Sequence, residues 1–296
     1  MKVLTIIVSY NFERWIDKCL GSLRASKHPT DVVVIDNCSK DRTVELIRRD
    51  WPEVRLIVNK DNLGFGKANN QGMTIALDEG YDAVFLLNQD AWIDQYALGS
   101  LCNLAEQNAD FGILSPVHCD GSGKQLDFGF SKYVQLPDLK SLPDRSELIT
   151  CNFINAAFWF IPTRVIRKIG GFSPLFYHYG EDKDYINRMA YYHYKVGYLP
   201  TVVGCHDRAF RKVSEFDFFR AEKVYHLSEF ANINYTWARA FAYGVMAGMK
   251  KAFQSVMKGK FRYSLKYMSM VCWLLGKSMY IYSIRKQCRT EQRHFV

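Results

Sequence analysis

Residues 3–87 alternate short, β-branched apolar runs with stretches of helical periodicity, and this alternation is the strongest constraint on the fold. It predicts strands over residues 3–8, 31–35, 54–58 and 83–87, and helices over residues 12–26, 39–50 and 67–79. Strands that alternate with helices in this way form βαβ units around a mostly parallel sheet. The sequence therefore predicts an α/β fold.

Polar side chains follow each of the four predicted strands at its carboxyl end. They are Ser9-Tyr10-Asn11, Asp36-Asn37, residues 59–62 and Asn88-Gln89-Asp90. Because ligands of open α/β sheets bind outside the carboxyl ends of the strands, we expect these clusters to surround a ligand. The first strand is not followed by a G-x-G-x-x-G motif, which argues against a nicotinamide enzyme.

Three of these positions carry specific chemistry. Asp90 is a candidate ligand of Mg²⁺ or Mn²⁺, because hard cations prefer oxygen ligands and leave coordination sites for a diphosphate. Asp36 is a candidate acceptor of hydrogen bonds from a nucleobase or a ribose hydroxyl. For both acids the alternative is an ordinary turn or capping residue. Gly64 and Gly66 would let the backbone approach a ligand, and the next helix begins with amides that attract anions.

Residues 179–184 place three acids within four positions. Acids at a helix N-terminus complement the macrodipole, which is the structural alternative. The aromatic run that precedes them would instead form a cleft wall and raise the basicity of a carboxylate, so Glu181 or Asp182 is a candidate general base. His206 follows an extended stretch and is either a neutral metal ligand or a histidine satisfied by the backbone.

Taken together, in this order and with these separations, the clusters resemble the family 2 glycosyltransferases, which have the GT-A fold. The matching segments are residues 7–11, 34–41, 62–66, 69–72, 87–90 and 180–184. The similarity is closest to the bacterial rhamnosyltransferase-like members, which use dTDP-rhamnose. It implies a Rossmann-like nucleotide-binding domain with a mixed, mostly parallel central sheet.

The resemblance also implies an activity. It is the inverting, metal-dependent transfer of a sugar such as rhamnose from a dTDP- or UDP-linked donor to a glycan or lipid-linked glycan acceptor in cell-surface polysaccharide synthesis. The residues implied in donor binding are Ser9, Asn11, Asp36, Asn62, Gly64, Lys67, Asn88 and Gln89. Asp90 and His206 would bind Mg²⁺ or Mn²⁺, with Asn88 replacing the first acid of the family's Asp-x-Asp motif. Asp182 would be the catalytic base, with Glu181 beside it.

The formal charge of +9 lies entirely in the C-terminal region. Residues 237–296 carry twelve Lys or Arg and one acid, whereas the rest of the chain carries 27 basic and 29 acidic residues. Apolar residues recur at helical spacing over residues 241–258 and 263–284 beside lysines, as in helices that lie on a membrane surface. Lys266 and Lys277 interrupt the second run, which argues against a spanning helix. The alternatives are a helical cap and a homodimer contact.

These observations predict a catalytic domain over residues 1–211 and a basic, aromatic helical extension over residues 212–296 that binds an anionic membrane surface. The apolar start of the chain is too short for a secretory signal, and the eight cysteines have no metal-binding or redox spacing. We therefore expect a cytoplasmic enzyme with reduced thiols, peripheral on the inner face of the cell membrane. Residues 116–148 are predicted to be a loop with at most short strands, and residues 117–148 are predicted to form the acceptor site.

Two alternatives from other classes remain. A sugar nucleotidyltransferase shares an α/β nucleotide site, but it usually has a Gly-rich basic loop after its first strand. A non-catalytic nucleic-acid-binding protein would use the basic C-terminal region, but it has no use for the acids at residues 181–184. We therefore expect no nucleic-acid partner.

Overall fold

The computed structural model describes residues 1–208 and 214–296. Its centre is a sheet with the strand order β3-β2-β1-β4-β8-β6-β9-β5, in which β7 also pairs with β9. The strands are β1 (Val3–Ser9), β2 (Asp31–Asp36), β3 (Arg55–Val58), β4 (Ala83–Leu87), β5 (Ala91–Ile93), β6 (Phe111–Asp120), β7 (Ile149–Thr150), β8 (Phe158–Pro162) and β9 (Lys195–His206).

Helices connect the strands and continue beyond the last one. They are α1 (Ile16–Arg24), α2 (Thr43–Asp50), α3 (Phe65–Asp78), α4 (Ala97–Gln107), α5 (Phe128–Val134), α6 (Thr163–Ile169), α7 (Glu181–Tyr191), α8 (Glu215–Ala231), α9 (Trp237–Phe241), α10 (Ala247–Met257), α11 (Phe261–Gly276) and α12 (Ser278–Gln287). A 3₁₀ turn covers Leu139–Ser141, and a π-helical segment, Ala242–Met246, joins α9 to α10.

The sheet is mixed, with a parallel N-terminal half. β1 pairs in parallel with β2 and β4, and β2 pairs in parallel with β3. β8 then runs antiparallel to β4, and β6 runs parallel to β9. This arrangement confirms the predicted α/β class and the mixed, mostly parallel sheet.

Both faces of the sheet are covered, which explains why its central strands are apolar at nearly every position. Successive side chains of a strand point to opposite faces. Ile6 therefore belongs to the apolar core that includes residues of α3, α6 and α7, and Ile7 to the core that includes residues of α1, α2 and α4. The layers place the carboxyl ends of β1, β2 and β4 at one edge.

The predicted loop over residues 116–148 is wrong at its start, where β6 continues to Asp120, and at α5, whereas residues 135–148 are irregular apart from the 3₁₀ turn. β6 passes through Pro116, where its register with β9 shifts before Val117, and such an irregularity accommodates a residue that cannot donate to the ladder. The helix α5 follows, because the Asp127 side chain accepts hydrogen bonds from the backbone N–H groups of Gly129 and Phe130, at 2.9 and 3.0 Å.

The predicted start of the second helix is also wrong. Residues 39–42 form a turn and α2 begins only at Thr43. The reason is that Asp36 binds both the hydroxyl and the backbone N–H of Ser39, so that residue cannot cap the helix. Asp41 instead accepts a hydrogen bond from the Thr43 hydroxyl at 2.6 Å.

The C-terminal helices pack on one another and on the sheet domain. Their apolar core contains Phe230, Val271 and Leu274 together with Phe176 from the segment before α7. Arg285 donates hydrogen bonds to the carbonyl oxygens of Phe230 and Tyr235, at 2.9 and 2.8 Å. The predicted domain boundary at residues 211 and 212 lies outside the described residues. Within residues 1–208 and 214–296, every helix is too short or too polar to cross a bilayer.

Candidate active site

A cavity of about 800 Å³ lies at the carboxyl ends of β1, β2 and β4. Six of the predicted site residues line it together: Ser9, Asn62, Gly64, Asn88, Gln89 and Asp90. The lining also includes the segment 175–179, which is rich in aromatic residues, and parts of α8 and α11. We call this space the first cavity.

Three other predicted donor-binding residues lie outside its lining. Asp36 is completely buried behind the wall, where its carboxylate accepts hydrogen bonds from the Ser9 hydroxyl at 3.0 Å and from both groups of Ser39. Asn11 is exposed, and its side-chain oxygen accepts a hydrogen bond from the Lys40 backbone at 2.8 Å. Lys67 is exposed on α3. Asp36 therefore fixes the position of Ser9, and its contact with a nucleobase stays a prediction.

The loop before α3 approaches the aromatic segment closely. Gly64 has a φ of +81°, and a Cβ there would lie 2.1 Å from the carbonyl oxygen of Tyr177. Tyr177 also donates a hydrogen bond through its hydroxyl to the Asn62 carbonyl, at 3.0 Å, and Asn37 donates to the Gly64 carbonyl at 3.2 Å. Only glycine allows this approach, which closes one side of the first cavity.

Gln89 connects the ends of β1 and β4. Its amide accepts a hydrogen bond from the Tyr10 N–H at 2.7 Å and donates one to the Tyr10 carbonyl at 3.1 Å. Its polar atoms are thus engaged with the protein, and this pairing positions the neighbouring Asp90.

Asp90 and His206 converge at the edge of the first cavity. The Nε2 atom of His206 lies 3.1 Å from Oδ1 of Asp90 and 3.4 Å from Nδ2 of Asn88. Asp90 is 26% exposed, whereas His206 is buried. Residues 1–208 and 214–296 contain no group of three or more His, Cys, Asp or Glu side chains that could hold a metal ion. A carboxylate and an imidazole are nevertheless suitable donors for a divalent cation that takes its other ligands from diphosphate and water.

A second cavity, of about 740 Å³, shares Tyr179, Arg220 and Val224 with the first. Its lining is largely apolar and aromatic, and it includes the predicted base, Asp182. Burial raises the pKa of Asp182, although a hydrogen bond from the Lys183 N–H at 2.7 Å opposes the shift. The second cavity therefore contains a carboxylate that is more basic than an ordinary aspartate. The three shared residues form the boundary between this cavity and the first.

Glu181 has a different environment from Asp182. It lines neither cavity, it is 6% exposed, and its Oε2 atom is buried without a hydrogen-bond partner. Burial, and then the charge of Asp182, raise the pKa of Glu181 to about 8. At neutral pH this side chain is mostly protonated, and only Asp182 of the pair faces a cavity.

Five lining residues from the C-terminal helices were missed in the sequence analysis. They are Arg220, Lys223, Val224 and Leu227 of α8 and Trp273 of α11. The Lys223 ammonium lies 3.8 Å from the centre of the Trp273 ring. The lining of the first cavity thus contains two cations, Arg220 and Lys223, which suits an anionic ligand. Basic and aromatic residues were visible in the sequence, but nothing local indicated that they face this cavity.

Comparisons with known proteins point in one direction. The sequence model described as Glycosyl transferase family 2 matches residues 5–170. The N-acetylglucosaminyl-diphospho-decaprenol L-rhamnosyltransferase of Mycobacterium tuberculosis is 23% identical over 235 residues, which cover 69% of this chain and 75% of that protein. The undecaprenyl-phosphate mannosyltransferase of Micrococcus luteus is 33% identical over 98 residues, but these cover only 30% of this chain and 38% of that protein.

The fold has solved counterparts. The crystal structure of S. aureus TarS 1–349 superposes with a TM-score of 0.59 at 15% identity, over 98% of this chain and 89% of that one. The same fragment has also been solved in complex with UDP-GlcNAc, and that structure gives a TM-score of 0.57. The likeness extends through the C-terminal helices as well as the sheet.

Proposed function

The chain belongs to glycosyl transferase family 2 and has the GT-A fold, and we propose that it is an inverting, metal-dependent enzyme that transfers a sugar from a nucleotide diphosphate to a hydroxyl group of a glycan or lipid-linked glycan. The family and the fold are those predicted from the sequence. The observation that carries the proposal is the pair of adjoining cavities, with Asp90 in one and Asp182 in the other.

The first cavity is the proposed donor site. Its polar floor at the strand ends offers hydrogen-bonding groups to a nucleotide, and the cations of α8 offer compensation for the charge of a diphosphate. Asp90 and His206 are the proposed ligands of Mg²⁺ or Mn²⁺. A bound cation would neutralise negative charge on the leaving diphosphate.

We propose rhamnose carried by dTDP as the donor, because the mycobacterial relative is named a rhamnosyltransferase and is matched over most of its length. A UDP-linked donor is the alternative, because the similar TarS fragment has been solved with UDP-GlcNAc.

The second cavity is the proposed acceptor site. Its apolar lining suits the C–H faces of a sugar ring, and its described lining residues include two carboxylates, Asp182 and Asp217. Asp217 already binds Ser214 and Arg220 at the start of α8, so Asp182 is the proposed base. Asp182 would take the proton of the acceptor hydroxyl as the oxygen attacks the anomeric carbon. The bond from that carbon to the diphosphate oxygen breaks, and its electron pair leaves with the diphosphate. Attack opposite the leaving group inverts the anomeric centre.

The excess of basic residues in the C-terminal region supports a peripheral position on the inner face of the cell membrane, where a lipid-linked acceptor is presented. A homodimer through the same helices is the competing use of this region.

The test compares Asp182→Asn with the matched control Glu181→Gln on the same turn of α7. We expect Asp182→Asn to lower the rate of transfer by about 10²–10⁴-fold, because a general base is lost. Binding of the nucleoside diphosphate, measured by calorimetry, should change little, since Asp182 lies outside the first cavity. Glu181→Gln should keep most of the activity.

Two results would contradict this assignment. Full turnover by Asp182→Asn together with an inactive Glu181→Gln would move the base to Glu181. Release of pyrophosphate instead of a nucleoside diphosphate from the sugar nucleotide would replace the transferase with a nucleotidyltransferase.

A further inference from the structure

The helices α10 and α11 form a hairpin that projects from the C-terminal core. Gly248 near the start of α10 lies against Val271 near the end of α11, with only 2.8 Å from its Cβ position to a Val271 methyl, so the two helices run in opposite directions. The turn between them contains Gly259, which has a φ of +66° and no heavy atom within 4 Å of its Cβ position. The turn itself is therefore open, whereas the first turn of α11 contacts α8, because Arg262 pairs with Glu215 at 3.9 Å and the rings of Tyr263 and Phe219 lie 5.1 Å apart.

Large apolar side chains lie exposed on both sides of this turn. Phe253 and Met257 of α10 are 66% and 72% exposed, and Phe261 and Leu265 of α11 are 64% and 71% exposed. Their four-residue spacing places each pair on one face of its helix. The inner side of the hairpin is already packed, since Ala252 and Val271 are buried. We call these four exposed side chains, with the turn that joins their helices, the hairpin tip.

The charges around the tip have one sign. Residues 247–276 contain six Lys or Arg and no acid. Glu222 pairs with Lys251 at 2.6 Å, and Glu215 pairs with Lys266 and, at 3.9 Å, with Arg262, so α8 compensates three of the cations. Lys258 and Lys260, which flank Gly259, form no ion pair with any acid in residues 1–208 or 214–296.

We propose that the hairpin tip inserts into an anionic lipid bilayer and docks the enzyme there. This inference makes the proposed membrane partner specific and does not depend on the catalytic roles. Exposed rings and aliphatic chains between lysines match the acyl chains and anionic headgroups of a membrane surface. A second copy would bring Lys258 and Lys260 against the same two lysines, and a nucleic acid would leave the exposed apolar side chains of the hairpin tip in water.

The tip lies apart from the first cavity. Trp273, near the other end of α11, lines that cavity. Phe261 lies twelve positions before Trp273, which corresponds to about 18 Å along a helix. Changes at the tip should therefore alter membrane binding without altering the first cavity.

The experiment is flotation of the full chain with phosphatidylcholine vesicles, with and without phosphatidylglycerol. We expect the unmodified protein to float only with the anionic vesicles. The double variant Phe253→Glu/Phe261→Glu should bind at least about tenfold more weakly, because burying one such side chain changes an equilibrium by that factor or more. Lys258→Gln and Lys260→Gln should each weaken binding to the anionic vesicles by about fivefold. The matched control is Phe128→Glu, which is 65% exposed and lies outside the hairpin.

Several outcomes would overturn the proposal. They are equal flotation of the double variant and the control, absence of flotation by the unmodified protein, and a dimer in sedimentation velocity that the double variant dissociates. A nucleic-acid partner would be indicated if duplex DNA displaced the protein from vesicles and the double variant also lost DNA binding to the same extent.

The catalytic and membrane proposals fail separately. Asp182→Asn should float like the unmodified protein, and the double variant should still hydrolyse the donor or transfer its sugar. Failure of the catalytic proposal is therefore distinguishable from failure of this one.

Discussion

Glu181 is a carboxyl group that the fold holds in its neutral form, and replacing it with glutamine tests this directly. Its side chain is buried at the first turn of α7, and Oε2 has no hydrogen-bond partner. Glutamine has the same shape and no charge to desolvate. Glu181→Gln should therefore change little at low pH and stabilise the protein at high pH.

The magnitude follows from the shift in pKa. Burial raises the pKa of Glu181 from 4.5 to about 8, with Asp182 as the second cause. Between these two values the folded chain keeps a proton that the unfolded chain has released, so the free energy of unfolding falls as the pH rises. The slope is about 1.4 kcal/mol per pH unit for one proton. The stabilising contribution is complete below pH 4.5 and is lost by the time the pH has passed about 8.

The assay is urea unfolding of both proteins at pH 6 and at pH 9. Between pH 6 and pH 9 the free energy of unfolding of the unmodified protein should fall by up to about 3 kcal/mol more than that of Glu181→Gln. Partial relaxation of the structure around Glu181 would reduce this difference. The comparison with the variant removes the contributions of other buried acids, such as Asp184, which titrate in both proteins. Parallel pH profiles for the two proteins would refute the reasoning, because they would mean that Glu181 ionises in the folded state as it does in water.

Three further predictions follow from the site and its support. Asp90→Ala should weaken Mn²⁺-dependent binding of a nucleoside diphosphate and leave binding in EDTA unchanged, as measured by calorimetry. Arg188→Met should lower the free energy of unfolding by about 3–5 kcal/mol in urea titrations, because Asp184 would stay buried without its partner. Gly64→Ala should weaken nucleotide binding and cost about 1–3 kcal/mol of stability, since the new Cβ would overlap a backbone carbonyl at a positive φ. Gly80→Ala is its control, with a φ of +72° but open space.

The parallel strands could be predicted because each one is recognisable from its own residues. Buried parallel strands must be apolar on both faces, so the runs that became β1, β2 and β4 are visible without any knowledge of their neighbours. The polar residues after them had to meet at one edge, which is where Ser9, Asn88 and Asp90 line the first cavity. Residue identity alone could not separate the residues that line the cavity from those behind it. Asp36 illustrates this, because its burial depends on the position of Ser39.

The incorrect predictions concern features that depend on contacts between distant parts of the chain. Pro116 and the glycines near it indicate a loop, but the register shift of β6 against β9 is a property of two strands that are far apart in the chain. The helix α5 did have a local signal in its capping residue, Asp127, which was outweighed by the surrounding Gly and Pro. The choice between Glu181 and Asp182 could not be made from sequence, because neighbouring positions on a helix face different directions and only tertiary packing decides which one is buried.

The C-terminal region has a larger role than its composition indicated. Its composition alone is typical of a membrane-binding appendage made of basic amphipathic helices. Removing such an appendage would leave the rest of the enzyme unchanged. Here α8 carries Arg220 and Val224 into the wall shared by both cavities, and α11 carries Trp273 into the first cavity. Deleting these helices would open the proposed donor site and expose the core around Phe230. Membrane binding is therefore better tested by point substitutions at the hairpin tip than by truncation, because only the former leave the reaction site intact.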